Sequence, residues 1–398
     1  MNRRSSLKGT SAPTLVAAGG GAWHAHDRGE WQVATGPAYE PWSSWRGDPR
    51  EGALALVRAG VLSSNLHNTQ PWIFRVHADR VELFADTSRH LGSFDAFRRE
   101  MYLGLGCALE NMMLAAEANG YTPRLHLDEG SLAPPPPDDA AVPVATIHIG
   151  SRAPKRPREP SPLYEAIPER HTNRGPYVAE DPVPADVLDA FRADVEREEG
   201  ARLVLVSTPR ERARFGKLIV RSTEQIISDP EMIRDSERWY RHSRKEVEEH
   251  RDGPTLDAAG LPPLGRALAK LLPNPSATDN HRYWFQNTRD VHVATAPLFG
   301  MIVVDDIYGR VAQTLRAGRA WQRIHLRATT RGIAMQPLNQ PVEIVDRERS
   351  LGGSSPTAGD LARFIGPEGG EPTFVFRAGR PAQTAPPSPR RPIGDVVL

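Results

Sequence analysis

Apolar side chains in the first part of the chain recur at spacings typical of regular secondary structure. The segments 72–76 and 81–84 are rich in β-branched and aromatic residues and flank a short turn, which predicts a β-hairpin. Asp48 and Pro49 predict the start of an earlier helix that extends to Gly60, and further strands are expected at about 123–127 and 142–149. A long core helix is predicted over 97–119, where apolar residues follow a helical period at Phe97, Met101, Ala108, Met112 and Ala115.

A second series of helices and strands follows the proline-rich segment 151–162. Its prolines remove backbone donors and fix φ, so this segment is predicted to be a linker. Residues 251–280 are rich in Pro, Gly and Asn and are expected to form a cover or excursion. Helices are predicted at 163–167, 184–198, 209–250, 307–330 and 358–365, and strands at 203–206, 299–304 and 373–377. Both parts of the chain therefore share an outline of helices packed on a few strands.

Composition and charge narrow the class of protein. The 398 residues include 50 Lys plus Arg against 49 Asp plus Glu, so a net charge of +1 provides no field that would steer the protein onto nucleic acid. Any anion site must be local. Cys107 is the single cysteine, which excludes an intrachain disulfide and a cysteine-rich metal site, and its place in an apolar helix predicts a small core residue. No run of 18 apolar residues predicts a membrane span.

The N-terminus resembles an export signal. Arg3 and Arg4 precede a weakly apolar stretch and a Gly/Ala run that ends at Ala22, as in twin-arginine signals. Two expectations stay open: the protein is exported in its folded form, or residues 1–45 are a disordered tail of a cytoplasmic protein.

A polar loop between Ser63 and Trp72 offers candidate binding groups. Amides and hydroxyls crowd there without a carboxylate, at Ser64, Asn65, Asn68, Thr69 and Gln70. Such a set suits the edge of a neutral heterocycle. The alternative is an ordinary polar connection between a helix and a strand.

Two basic motifs are candidate phosphate sites. Arg170 and Arg174 bracket Thr172, and guanidinium forks match phosphate oxygens while a hydroxyl adds a neutral donor. Arg390 and Arg391 lie between prolines near the C-terminus. The alternative for Arg170 and Arg174 is a solvated charge cluster, and the alternative for Arg390 and Arg391 is an exposed basic tail. Histidine spacings support no metal site, and neither a Walker loop nor a dinucleotide-binding glycine turn is present.

Taken together, these motifs resemble the nitroreductase superfamily of FMN enzymes, and in particular a branch in which two nitroreductase halves are fused in one chain. The resemblance covers about residues 48–398 and rests on His67 to Trp72, Arg170 to Arg174, Arg390 to Pro392, and a segment 332–340 that is similar to the loop along the isoalloxazine ring. It implies an α+β fold, with helices on small, mainly antiparallel sheets, and two halves that form an intrachain pseudo-dimer. The implied division is a tail at 1–45, a first half at 46–150, a linker at 151–162 and a second half at 163–398 with a lid-like insertion at about 230–285.

The resemblance also implies where the cofactor binds. FMN would lie between the halves, with its phosphate on Arg170, Thr172, Arg174, Arg390 and Arg391. The ring and ribityl chain would contact Ser64, Asn65, Leu66, Asn68, Gln70, Pro337, Leu338 and Asn339. Because neither motif recurs in the opposite half, one competent flavin site is expected per chain, and the protein is expected to be a monomer or a homodimer.

The implied activity is electron transfer from NAD(P)H through FMN to an electron-poor acceptor such as a nitroaromatic or a quinone. No protein residue is assigned as acid or base, because solvent can supply protons in such reactions. The alternative is a flavin-storage protein in which the insertion covers the ring and prevents turnover.

Overall fold

The computed structural model describes residues 32–46, 51–133, 135, 137–138, 140–150, 159–270 and 276–398. Three predicted features lie outside these ranges: the export signal at 1–25, the helix start at Asp48 and Pro49, and residues 151–158 of the linker. No helix in the described residues is both long enough and apolar enough to cross a membrane.

The helices and strands of the described residues form two successive series along the chain. The helices are α1 Glu40–Ser43, α2 Leu54–Gly60, α3 Arg99–Ala118, α4 Pro162–Glu165, α5 Ala185–Glu196, α6 Pro209–Ser228, α7 Pro230–Glu237, α8 Arg244–His250, α9 Pro263–Ala269, α10 Ala277–Asn287, α11 Val311–Thr330, α12 Gln340–Ser350 and α13 Pro356–Ile365. The strands are β1 Trp72–Val76, β2 Arg80–Asp86, β3 Arg124–Leu127, β4 Ala141–His148, β5 Ala201–Val206, β6 Leu298–Val304, β7 Ala334–Pro337 and β8 Glu371–Gly379.

The strands form two antiparallel sheets with the same internal order. The first sheet runs β1-β2-β4-β3 and the second runs β5-β6-β8-β7. Each sheet also carries a bulge in the same pair of strands, after Leu83 in the first and after Ile302 in the second. The predicted α+β class with two similar halves is therefore confirmed.

The helices α3 and α11 pack against each other through a reciprocal pair of glycines. A Cβ added to Gly106 would lie 2.1 Å from the carbonyl oxygen of Leu315, and one added to Gly318 would lie 2.1 Å from that of Leu103. Only glycine permits so close an approach of two backbones. The thiol of Cys107 donates to the Gly318 carbonyl oxygen at 3.3 Å, and Cys107 is buried in this contact as predicted for a core residue.

The C-terminal tail returns to the first sheet. The Phe74 N–H on edge strand β1 donates to the Val396 carbonyl at 2.7 Å, and the Leu398 N–H donates to the Phe74 carbonyl at 2.9 Å. The Arg390 N–H donates to the Ala38 carbonyl at 2.7 Å, which joins the tail to the N-terminal segment. Residues 396–398 thus cover the edge strand β1 of the first sheet.

The helices predicted over 209–250 are α6, α7 and α8. Asp229 separates α6 from α7, because its carboxylate accepts from the Glu231 and Met232 N–H groups and caps α7, with Pro230 at the first helical position. The segment 332–340, expected as a loop, is instead strand β7 followed by the start of α12. Residues 251–280, expected as an irregular excursion, contain α9 and the start of α10.

Candidate functional site

A cavity of about 790 Å³ lies between the two series of elements. Its inner wall combines side chains of the first series, from the loop 64–67 and helix α3, with side chains of the second, from the segment 172–174, strand β7 and the start of α12. The outer wall is formed by α7, α9, α10 and the described residues between them, which we call the cover (residues 230–270 and 276–287). The cover contributes half of the Phe, Tyr and Trp residues that line the cavity, namely Tyr240, Tyr283 and Trp284.

The loop from Ser64 to Gln70 has a strained backbone. His67, Asn68 and Gln70 have φ values of 45°, 53° and 52°, a region that residues other than glycine seldom adopt. Hydrogen bonds hold this conformation, since the Gln70 N–H donates to Asn65 Oδ1 at 2.8 Å and the Gly253 N–H of the cover donates to the Asn68 carbonyl at 3.2 Å. Clustered strain of this kind is characteristic of ligand-binding loops.

Ser64, Asn65 and Leu66 line the cavity, and their contact with a flavin ring stays a prediction. The Ser64 N–H donates to Gln322 Oε1 at 3.3 Å, which ties the loop to helix α11 of the second series. Asn65 is in close contact with α3, since a Cβ on Gly104 would lie 2.9 Å from its own Cβ.

Asn68 and Gln70 do not line the cavity. Asn68 Nδ2 donates to the Pro389 carbonyl at 2.9 Å and its Oδ1 accepts from Arg390 at 2.6 Å. Gln70 Oε1 accepts from the Arg391 N–H at 2.8 Å, and its Nε2 donates to the Arg251 carbonyl at 2.8 Å. Both amides hold the C-terminal tail, and Gln70 also holds the cover. Their contact with a cofactor stays a prediction.

Of the five predicted phosphate residues, Thr172 and Arg174 line the cavity. The Arg174 guanidinium has one hydrogen bond to the protein, to the Ala258 carbonyl of the cover at 3.2 Å. Burial lowers the pKa of Arg174, and within the described residues no carboxylate forms an ion pair with it. A buried cation without a counter-ion is costly, so this side chain is suited to an anionic ligand.

Arg170 and Arg390 lie outside the lining and share a different target. Arg170 donates to the Leu62 carbonyl at 3.0 Å, and Arg390 donates to the Ser63 carbonyl at 3.1 Å. Burial lowers the pKa of Arg170 to about 10, and burial together with the Arg170 charge lowers that of Arg390. The Nε atom of each has no hydrogen-bond partner in the described structure. These two cations therefore hold the backbone that leads into the loop 64–70, from positions outside the cavity lining.

The remaining predicted residues are divided between the cavity and the core. Pro337 and Asn339 line the cavity, while Leu338 is buried on the opposite side, in a cluster with Phe299 and Val375. Leu338 and Asn339 form the connection between β7 and α12. Arg391 is partly exposed and donates to the Gln70 and Asp395 carbonyls.

Several lining residues were not predicted as site residues. His67 is enclosed by Phe94, Tyr240 and the Ser236 hydroxyl, and burial and the Arg174 charge lower its pKa to about 3. Glu100 and Glu343 approach each other across the wall. Glu100 belongs to the charged run that begins α3, and this run could have marked it as a candidate site residue. No sequence pattern pairs it with Glu343, which lies 243 positions later.

Charged side chains connect α3 and α11 outside the cavity lining. Arg319 and Arg323 of α11 form ion pairs with Glu110 of α3 and with Glu198, which follows α5, at 2.7 to 3.1 Å. The expectation of one competent flavin site per chain stays a prediction. No group of three or more potential metal ligands occurs in the described residues.

Comparison with known proteins supports the resemblance noted in the sequence. No family model matches the chain. Two Mycobacterium tuberculosis proteins, named Putative NAD(P)H nitroreductase MT3217 and Putative NAD(P)H nitroreductase Rv3131, are each 28% identical over 353 residues, which cover 87% of this chain and 91% of the relative. The predicted resemblance to nitroreductases is thereby confirmed, while the fused two-half branch stays a prediction.

Solved structures also match part of the chain. The FMN-dependent nitroreductase NfnB from Mycobacterium smegmatis, in complex with NADPH, is 16% identical, with 60% of this chain and 97% of that chain covered and a TM-score of 0.38. A nitroreductase with bound FMN from Desulfitobacterium hafniense is 16% identical over the same shares, with a TM-score of 0.35.

Proposed function

We propose that the protein is an FMN-dependent NAD(P)H oxidoreductase of nitroreductase type, which passes electrons to an electron-poor acceptor such as a nitroaromatic or a quinone. The observation that carries this proposal is the cavity of about 790 Å³, in which seven of the predicted FMN residues meet from distant parts of the chain. They are Ser64, Asn65, Leu66, Thr172, Arg174, Pro337 and Asn339. The similarity to two proteins named as NAD(P)H nitroreductases gives independent support.

The residues present fit an FMN molecule. The cavity volume lies within the usual range of ligand pockets, about 300 to 1,000 Å³. Arg174 has no acidic partner among the described residues and would be neutralised by a phosphate. Most of the remaining lining is apolar or uncharged, as a planar heterocycle requires.

Each part of the wall would have a distinct task. Arg174 and Thr172 would bind the phosphate, and Ser64 to Leu66 and Pro337 to Asn339 would contact the ring from the two halves. Arg170 and Arg390 would act indirectly, by holding the Leu62 and Ser63 carbonyls and so the loop that follows. When bound, FMN would supply the capacity to accept and pass on two electrons. The cover would exclude water from the ring.

The second candidate is storage of FMN without turnover, and the anchoring of the cover favours it. Asp235 accepts from the N–H and the hydroxyl of Ser93 at 2.8 Å each, and Asp252 forms ion pairs with Arg89 and Arg241. These contacts fix the cover on the first series of elements. A cover that never opens would keep NAD(P)H from the flavin.

One experiment separates the two candidates. Freshly purified protein should show the visible absorption of oxidised flavin, and anaerobic mixing with NADPH or NADH in a stopped-flow instrument should bleach it on the timescale of turnover. Protein that stays yellow under these conditions supports storage. Colourless protein that does not bind added FMN contradicts both.

Replacement of the unpaired cation tests the binding mode. Arg174→Ala should weaken FMN binding about 10- to 100-fold, since a hydrogen bond to a charged group contributes about 1.5–3 kcal/mol. Its melting temperature should stay close to that of the wild type, because the guanidinium has a single protein partner. Arg380→Ala, which removes an exposed partner of Asp181, is the matched control and should leave FMN affinity unchanged. Unaltered affinity in Arg174→Ala would remove this residue from the site.

A further inference from the structure

Two carboxyl side chains from different halves meet in the wall of the cavity. Glu100 comes from the first turn of α3 and Glu343 from the first turn of α12, and they are 4% and 6% exposed. Their side chains are hydrogen-bonded to each other. Two carboxylates cannot form such a bond, because neither has a hydrogen to donate, so one of the pair holds a proton.

The surroundings decide which of the two holds the proton. Arg99 donates to Glu100 at 3.3 Å, and the Asn339 amide is also hydrogen-bonded to the Glu100 carboxylate. Glu343 has no cationic partner in the described structure. Burial raises the pKa of both groups, and the Glu100 charge raises that of Glu343 further, whereas the Arg99 charge opposes the rise at Glu100. Glu343 is therefore the neutral member and donates its proton to Glu100.

This arrangement leaves two oxygen acceptors without donors. Glu343 Oε2 and Gln340 Oε1 are buried and have no hydrogen-bond partner in the described structure. They lie one turn apart on α12, and both residues line the cavity. A buried polar atom without a partner costs about 1–3 kcal/mol, so a ligand that supplies donors here gains affinity.

We propose that Glu343 and Gln340 form a subsite for a planar amide-type N–H donor, with Glu343 presented as a neutral carboxyl by its hydrogen bond to Glu100. The inference rests on the proposed function, because two ligands of that reaction carry this chemistry. One is the carboxamide of nicotinamide, and the other is the imide of the isoalloxazine ring. A carboxylate ligand is excluded, since it has no hydrogen to donate and would meet the Glu100 charge.

The test compares two replacements of Glu343. Glu343→Gln keeps a neutral group that donates to Glu100 and a carbonyl that faces the ligand, whereas Glu343→Leu keeps only the volume. Affinities are measured for FMN, by quenching of its fluorescence, and for nicotinamide, by titration calorimetry with and without FMN. Glu348→Gln is the matched control, because Glu348 lies on the same helix and bonds Ser355 and Thr357 outside the cavity.

We expect Glu343→Leu to bind about tenfold more weakly and Glu343→Gln to bind like the wild type. Weakened FMN binding identifies the isoalloxazine imide as the donor, and weakened nicotinamide binding alone identifies the carboxamide. The proposal is overturned if Glu343→Leu binds both probes like the wild type, or if Glu343→Gln binds as weakly as Glu343→Leu. If wild-type protein does not bind FMN, the proposed function fails, while the nicotinamide titration still decides the subsite.

A pH series adds a readout that does not depend on the folding of Glu343→Leu. Wild-type affinity should fall as the pH rises through the titration of Glu343, since the ionised pair would repel and lose its geometry. Glu343→Gln should show no such fall. The other titratable or charged groups that face the pair are Asp95, Arg99, Asp346 and Tyr240, and they are the same in both proteins. Equal pH profiles for wild type and Glu343→Gln contradict the proposal.

Discussion

Single residues at the site are held in states that they would not adopt in water. His67 has a positive φ, an enclosed ring and a pKa lowered to about 3, so it is neutral at neutral and mildly acidic pH. Its Nε2 contacts the Ser236 hydroxyl at 2.9 Å, which joins the strained loop to the cover. The same lowering occurs at His292 and His325, which are fully buried.

A neutral buried histidine makes stability depend on pH. The unfolded chain binds a proton to His67 below about pH 6.5, while the folded protein does not, so the free energy of unfolding falls as the pH drops below 6.5. Between pH 7 and pH 5 this loss amounts to at most about 2 kcal/mol for one histidine. His67→Gln should lose less stability over this interval than wild type. Urea unfolding at both pH values measures the difference, and equal losses would contradict the assignment.

Individual elements are completed by segments far away in the sequence. Edge strand β1 donates a hydrogen bond to Val396 and accepts one from Leu398, and the loop 64–70 is held by Arg390 and by the cover. Strand β7 and helix α12 were not expected. For β7 the reason is that a run of four residues that ends in proline gives no periodic signal. Pairing of β7 with the buried strand β8 stabilises it instead.

The tail should be a stabilising part of the first sheet. Val396 is 1% exposed, so Val396→Ala should lower the free energy of unfolding by about 1–3 kcal/mol. Hydrogen exchange at the Phe74 amide should accelerate, because its acceptor is the Val396 carbonyl. Leu398→Ala is the control, since that side chain is 66% exposed and its replacement should change stability little. Unchanged protection at Phe74 in Val396→Ala would show that the tail bond persists without this anchor.

The whole molecule depends on the contact between α3 and α11. Gly106→Ala and Gly318→Ala should each destabilise the protein by about 3 kcal/mol or more, because the added methyl group meets a backbone carbonyl at 2.1 Å and the helices must separate. The two effects should be similar, since the contacts are reciprocal. Gly359→Ala is the matched control: it lies in α13 with open space around it and should stabilise by up to about 1 kcal/mol. Chemical unfolding of the three variants tests this.

Local patterns allowed most of the fold, and part of the site, to be predicted. The hairpin, α3, β4 and the outline of the second series follow from periodicity, and the motifs around Ser64 and Arg174 are brought to one cavity. Tertiary contacts decide the rest. Asn68 and Gln70 bind the tail, and Glu100 meets Glu343, because α3 packs beside the start of α12. No local pattern encodes such pairings.

The position of Arg390 has a consequence for biosynthesis. The carbonyls of Leu62 and Ser63 accept hydrogen bonds from a side chain that follows them by 328 and 327 residues. During translation, the loop 64–70 therefore cannot be anchored by Arg390 until residue 390 has left the ribosome. Both sheets and the basic segment at 170–174 are synthesised before this residue, so the wall of the cavity is completed late in synthesis.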